Sequence, residues 1–337
     1  MRRAVKKQNV AIVGATGAVG GCFLRLLEER RFPVRTLRLL ASERSRGKKL
    51  RFKGRYQKVE ALGHDSFEDI DIVLSSAGAE RSLEFLPSAV KSGAVCVDNT
   101  SAFRMRDDIP LVVPEVNARR IRENRGIIAN PNCSTIQMVV ALWPIHKAAG
   151  IKRIVVTTYQ SVSGAGQKKV AELLEQSKRF LAKKRIVPKE FPHPIAFNLI
   201  PQIDVFLKNG YTKEEMKMVN ETKKIMEDDS IKVNATCVRV PVLYAHSESV
   251  CVELKRRLSA GSVRKILRAS PGVTVVDEPS RQRYPMPLDA QGRDDVFVGR
   301  IREDDSVANG IAMWVVSDNL RKGAALNAIQ IAERLIR

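Results

Sequence analysis

The stretch ANPNCSTIQMVVAL, residues 129–142, sets one thiol, Cys133, between a Pro/Asn turn and a long apolar run. A cysteine in the first turn of a helix meets unpaired backbone amides and the positive end of the helix dipole, which lower its pKa and favour the thiolate. The same amides suit the oxyanion of an acyl-transfer step. An inert buried thiol is the commoner case for any one cysteine. Cys22, on a helical pattern, and Cys96, Cys237 and Cys251, in apolar strand patterns, fit that case. A nucleophilic thiol also needs a partner for proton transfer. Of the four histidines, His64 sits in a polar loop, His146 lies more than three turns along the Cys133 helix, and His193 is in EFPHPIAF. His246, at a strand end beside a turn in YAHSES, remains by elimination as the acid/base, the alternative being a structural strand-end histidine.

A second constellation is GATGAVG, Gly14 to Gly20, between an apolar strand pattern and a helical one. Glycines there let a backbone approach a pyrophosphate at a helix N-terminus, although tight turns also use glycine for steric reasons alone. The spacing is G-x-x-G-x-x-G, and its place after the first strand predicts dinucleotide binding by Gly14, Thr16, Gly17, Ala18 and Val19. The next strand runs into ASERSRGKK. Glu43 could bind a ribose 2′-hydroxyl as in an NAD enzyme, but Ser42, Arg44, Ser45 and Arg46 surround it, and hydroxyls with guanidinium groups are what a 2′-phosphate requires. NADP is therefore the predicted cofactor, with Glu43 pointing away.

Elements that position these groups follow from periodicity. NVAIVGAT, RTLRLLAS, DIDIVLSSAG and AVCVDNT read as strands, VGGCFLRLLEERR and SLEFLPSAVKSG as helices. That alternation predicts an α/β fold whose first domain, residues 1–132, is a Rossmann-like doubly wound parallel sheet. Beyond Cys133 come longer strands, such as KRIVVTTYQSVS, IKVNATCVRVPVLYAH, ESVCVELKRR and GIAMWVVSDN, interrupted by helices such as TKEEMKMVNETKKIME. They predict an α+β domain with a mixed sheet over 133–318. The last helix, 319–337, is expected to return to the first domain.

At 337 residues the length suits two domains with their own cores. Five scattered cysteines without C-x-x-C or histidines at metal spacing argue for a reducing compartment and no metal site. The basic N-terminus with its short apolar stretch imitates a signal peptide, but Gly14 and Gly17 break the stretch and an amphipathic helix follows at once. No apolar run has spanning length. A soluble cytoplasmic protein is expected, with no membrane partner. The net charge of +21 gathers in RRAVKK, in ERSRGKKLRFKGRYQK (43–58) and in SKRFLAKKR (177–185). Such a surface attracts polyanions. Without a zinc finger, an RNP-type aromatic motif or basic heptads, the favoured reading is a solvated basic surface, and nucleic acid is not the expected partner.

The sequence closely resembles the aspartate-semialdehyde dehydrogenase family over nearly its whole length. GATGAVG, VDNTSAFRM, VVPEVN, NPNCST, YQSVSGAG, NGYTKEEMKMVNETKKI, CVRVPVLYAHSES, DDVFVGRIR and DNLRKGAALNAIQIAE look like family blocks in family order. NPNCST combined with Arg239, seven residues before His246, is the most specific of these features.

The resemblance implies Cys133 as nucleophile, His246 as acid/base and Gln160 as the glutamine that orients substrate near the thiol. It implies Arg239 for the substrate α-carboxylate, Glu221 for the ammonium group, and Lys224, Arg104 and Asn99 for phosphate. Ser163, Gly164 and Asn319 match further cofactor residues. An i, i+3 surface pair is what Glu221 and Lys224 would be without the family context. The implied reaction converts aspartyl 4-phosphate to aspartate semialdehyde and phosphate with NADPH, in a homodimer or homotetramer, on the aspartate-family route to lysine, methionine, threonine and diaminopimelate. The alternatives are a related acyl-phosphate or acyl-thioester reductase, which would not need Glu221 and Arg239, and a non-catalytic nucleic-acid-binding homologue.

Overall fold

The structure, a computed structural model, describes residues 6–336, so most of the basic RRAVKK segment and Arg337 of the last helix lie outside the described residues. The described chain divides into two compact units, one formed up to Asn132 and again from Ala324, the other from Cys133 to Gly323.

In the first unit, β1 (Gln8–Val13), β2 (Val34–Ala41), β4 (Arg55–Ala61), β5 (Ile72–Ser75), β6 (Val95–Asp98) and β7 (Ile127–Ala129) are parallel, while β3 (Lys49–Phe52) pairs antiparallel with β4. The order is β3-β4-β2-β1-β5-β6-β7. β1 and β2 are joined through α1 (Ala18–Glu29), β5 and β6 through α2 (Ala79–Lys91). The chain reverses direction between β1 and β5, a switch point where open α/β sheets bind ligands. Gly14 follows β1 at that point with φ +86°, and a Cβ there would lie 2.8 Å from the Ser76 carbonyl oxygen. Only glycine serves at that position.

The β3–β4 hairpin occupies the segment read above as a basic run. Its pattern is weak because Lys and Arg fill the outward positions, leaving Leu50, Phe52 and Val59 to carry the alternation. A short helix α3 (Pro114–Asn117) leads toward β7.

In the second unit, α4 (Cys133–Ala149) is buried along most of its length. It packs with α6 (Lys213–Met226) and α7 (Ala260–Arg268) against a mixed sheet. The sheet order is β11 (Val273–Val275), β12 (Val296–Asp304), β13 (Gly310–Ser317), β10 (His246–Leu254), β8 (Ile151–Gln160), β9 (Lys232–Arg239). α5 (Gln167–Leu181) and the short α8 (Pro287–Ala290) complete it. Strand alternation sends His246, Glu248, Val250, Val252 and Leu254 of β10 inward, and leaves Ser249, Cys251 and Glu253 half-buried on the opposite face.

The last helix, α9 (Leu326–Leu335), belongs to the first unit. Glu333 receives a two-pronged ion pair from Arg30 of α1, at 2.7 and 2.8 Å. Buried Asn327 donates to the Val112 carbonyl at 2.9 Å and to Asn130 Oδ1 at 2.7 Å. Asn327→Ala is expected to cost about 2 kcal/mol, because two buried acceptors lose a donor. Urea denaturation checks it, and an unchanged midpoint would show that these bonds contribute nothing net.

Candidate active site

Cys133 is the first residue of α4 and is half-buried, whereas Cys22, Cys96 and Cys237 are buried. Burial pushes the Cys96 and Cys237 thiols far up, which keeps them protonated and inert. Cys251 is half-buried on the outer face of β10, and burial raises its thiol too. A Cβ on Gly323 would come within 2.9 Å of the Cys133 Cβ, so backbone lies directly against the nucleophile.

β8, β9 and β10 end together on the side of α4, and their last or first residues are Gln160, Arg239 and His246. The main chain of Ser161 joins two of them. Its N–H donates to His246 Nδ1 at 3.0 Å, and its carbonyl accepts from Arg239 Nη1 at 2.7 Å. An acceptor Nδ1 places the imidazole proton on Nε2, which is buried and has no partner. Burial first, then the Arg239 charge, lowers the His246 pKa to about 3, so the ring is neutral at pH 7. Burial also lowers the Arg239 pKa, against the pull of Glu214 and Cys133.

Gln160 Nε2 donates to Ser134 Oγ at 2.8 Å, next to the nucleophile, and to Glu214 Oε1 at 3.1 Å. Glu214 is held from its other side by Lys217 Nζ at 3.0 Å, which also reaches Asp204 at 3.0 Å. Burial opposes the Lys217 charge, but Glu214 and Asp204 outweigh it and the pKa is raised. Glu221 and Lys224, the pair that the family resemblance implies for ammonium and phosphate, lie further along the same helix. Glu221 is buried two turns further along α6, about 10 Å at helical rise. Both Glu-Lys pairs have i, i+3 spacing on one helix, which a capping box of Thr212 and Glu215 starts.

Asn319 gathers the rest. Its Oδ1 accepts from Ala245 N, Ser161 Oγ and Ser163 Oγ at 3.0 to 3.2 Å, while Nδ2 is a buried donor without a partner. Ser163 and Gly164 stand on the turn Val162–Ala165. Of the other histidines, His64 bonds Ser88, His146 lies 3.8 Å from Asp228, and His193 is exposed.

In the first unit, Asn99 and Arg104 come together through Asn130, which sequence reasoning missed. Arg104 Nε donates to the Asn130 carbonyl at 2.9 Å and Nη2 to the Asn99 carbonyl at 3.0 Å, while Asn130 Nδ2 donates to Asn99 Oδ1 at 2.6 Å. Thr16, Gly17, Ala18 and Val19 form the turn into α1. Ser45 is buried with its Oγ 3.4 Å from Thr16 Oγ1, Ser42 and Arg44 are exposed, and Glu43 pairs with Arg46 at 3.2 Å. In the first unit the glycine turn at the switch point fits the pyrophosphate of a dinucleotide; in the second, the buried Asn319 amide keeps a donor for a polar ligand group. Among the described residues no group of acids, cysteines and histidines could hold a metal ion, and no helix is long and apolar enough to cross a membrane.

Comparison with known proteins gives the same frame. Family profiles described as "Semialdehyde dehydrogenase, NAD binding domain" and "Semialdehyde dehydrogenase, dimerisation domain" match residues 9–124 and 142–322. An aspartate-semialdehyde dehydrogenase of Aquifex aeolicus is 58% identical over 98% of both chains. The chain belongs to the aspartate-semialdehyde dehydrogenase family. Among solved relatives, aspartate semialdehyde dehydrogenase II of Vibrio cholerae, described as complexed with ASA, is 53% identical with a TM-score of 0.96, covering 98% of this chain and 99% of that one. The Candida albicans structure with NADP is 29% identical, TM-score 0.77, covering 98% of each.

A Cβ on Gly164 would lie 3.0 Å from His246 Cε1 and Nε2 and 3.3 Å from Arg239 Nη1. Gly164→Ala is therefore expected to displace both groups by a few tenths of an ångström and to lower kcat/KM about tenfold, with little change in Tm. Steady-state kinetics and a thermal melt check it, and wild-type kinetics would show that the cluster has slack.

Proposed function

We propose that this protein is an NADP-dependent aspartate-semialdehyde dehydrogenase that converts aspartyl 4-phosphate to aspartate semialdehyde and phosphate. The observation that carries the reading is the single cluster in which Cys133 opens α4 beside Arg239, with Arg239 and His246 held by the main chain of one residue, Ser161.

The Cys133 thiolate attacks the acyl carbon, and the first-turn amides of α4 receive the oxyanion. Phosphate departs with the electron pair of the broken C–O bond, leaving a thioester on Cys133. NADPH, when bound, supplies the hydride that reduces this thioester. The resulting hemithioacetal oxyanion collapses to the aldehyde and returns Cys133 as the thiolate. His246 is neutral with its proton on Nε2, so it acts at both tetrahedral stages as a hydrogen-bond donor to the oxyanion. That narrows the acid/base role implied by the family to the donor side.

Arg239 suits the substrate carboxylate, since a buried guanidinium presents paired donors to a planar anion. Glu221 is assigned to the substrate ammonium and Lys224 to phosphate, as the family resemblance implies. Asn99 and Arg104 are assigned to phosphate as well. Gly14, Thr16, Gly17, Ala18 and Val19 serve the pyrophosphate, and Ser42, Arg44 and Ser45 the 2′-phosphate. That Glu43 is engaged with Arg46 supports NADP over NAD. Ser163, Gly164 and Asn319 serve the nicotinamide end, with Asn319 Nδ2 as donor to the carboxamide oxygen.

The proposal extends to a cytoplasmic homodimer or homotetramer on the aspartate-family biosynthetic route. The outward face of the second sheet supports self-association. Tyr159 and Trp314 lie there with ring centroids 5.3 Å apart, beside half-buried Ser249 and Cys251.

Phosphate-dependent reduction of NADP by aspartate semialdehyde, followed by the absorbance of reduced nicotinamide, tests the reading. Wild type is expected to turn over with NADP in preference to NAD, and Cys133→Ala not at all. A Cys133→Ala variant with a large fraction of activity would sink the assignment. Glu221→Gln should raise KM about tenfold or more, as loss of a charged hydrogen-bond partner does, and a wild-type KM in that variant would take the ammonium role away from Glu221.

A further inference from the structure

Glu248 has no part in the chemistry above. It sits two residues after His246 on β10, on the same inward face and about 7 Å along the strand, with no solvent exposure. Below it on that face come Val250, Val252 and Leu254, so an apolar residue at 248 would continue the pattern. Instead the carboxyl faces Gln137, four residues and one turn after Cys133 on the buried side of α4. Ser317, opposite His246 in the register of β10 and β13, adds a hydroxyl to the same face. The side-chain polar atoms of Glu248, Gln137 and Ser317 are all buried, and none closes a hydrogen bond of ordinary geometry. Buried polar groups with unmet bonds are rare and costly in a packed core.

We propose that Glu248 is a positioning residue: paired with Gln137, it sets the register of the Cys133 helix on the strand that carries His246, and so fixes the thiol relative to the imidazole. Complete burial raises its pKa well above the ordinary carboxylate range, which favours the protonated, neutral acid. A protonated carboxyl and a primary amide each carry one acceptor and at least one donor on a planar head, so they match each other. Ser134 and Gln160 tie α4 to β8 at its first turn. Gln137 and Glu248 face each other one turn deeper, between α4 and β10, and a second point of apposition defines an orientation that one leaves free to pivot.

The inference rests on Cys133 and His246 acting together, and its test separates that premise from the pairing. Iodoacetamide alkylation of Cys133 in the free protein reads the thiol with no assumption about substrate. Steady-state kinetics with aspartate semialdehyde, phosphate and NADP reads the assembled site. Glu248→Gln keeps a neutral planar head and is expected to hold kcat and the alkylation rate within about twofold of wild type. Glu248→Leu keeps the bulk without the polar head, and is expected to lose about tenfold or more in kcat with KM within about twofold, and to alter the pH profile of alkylation. Gln137→Met should reproduce the Glu248→Leu pattern from the helix side and decides the matter where Glu248→Leu does not fold. Wild-type kinetics and alkylation in Glu248→Leu, or in Gln137→Met, would overturn the proposal. So would equal losses in Glu248→Gln and Glu248→Leu, which would make a charged carboxylate the active form. A wild type that alkylates normally but does not turn over would count against the reaction proposed above and leave the alkylation comparison intact.

Discussion

The main chain of one residue, Ser161, organises the cluster at the strand ends. The N–H of Ser161 selects the tautomer of His246 and its carbonyl anchors Arg239, so the imidazole and the guanidinium cannot drift independently. Their ring and guanidinium are held apart at a fixed spacing by backbone, which has no rotamers to lose. The arrangement needs the chain to turn sharply after β8, and Gly164 supplies the space, since any side chain there would press on both groups. It also needs the turn before β10. There Ala245 takes a left-handed backbone, φ +68°, a conformation that costs a non-glycine residue about 1 kcal/mol or more. Asn319 Oδ1 receives the Ala245 N–H together with the hydroxyls of Ser161 and Ser163, so one carboxamide ties both turns to each other. Local strain is retained because three contacts over-determine it.

Those contacts also show what the sequence could reveal. The strand-turn-helix frame of the first unit was legible because its apolar runs and glycines repeat with plain periodicity. Cys133 was legible because turn and helix signals meet at one residue, and His246 because only four histidines exist. The β3–β4 hairpin was obscured by lysines and arginines that mask its alternation. The contact of Glu214 with Gln160 left no signal: two Glu-Lys pairs of identical spacing lie on α6, and nothing local says that its N-terminal end meets a strand end. Asn130 and Gly323 act through contacts with residues distant in the chain or through absence of a side chain, and neither leaves a motif.

The charge of the protein is distributed in a way that separates surface from site. The basic hairpin strands carry their lysines and arginines outward, where a charge costs little to hydrate. Around the nucleophile the charges are matched instead. Arg239 lies within the field of Glu214, and Lys217 is shared between Glu214 and Asp204. A substrate that carries its own ammonium, carboxylate and phosphate can then replace existing partners one for one, so binding does not bury an unpaired charge.

Neutrality of the two buried ionisable groups on β10 completes that electrostatic picture. His246 is held unprotonated, so acidification from about pH 6.5 toward 3 protonates the unfolded chain first and costs stability; above that window the group is silent. Glu248 works in the opposite sense. Its pKa is raised in the fold, so its contribution to stability is greatest in acid and declines once the unfolded chain ionises above about pH 4.5, leaving the native state to retain a proton that the unfolded state has released. At neutral pH Glu248 is therefore a liability that a leucine would not be. Neither group adds a charge beside Cys133, and the field at the thiol is left to Arg239 and the amides of α4. In the proposed reaction a thiolate stabilised by those fixed donors would need no proton removed by His246 at the moment of attack, so an imidazole that serves as a donor is compatible with a cysteine nucleophile.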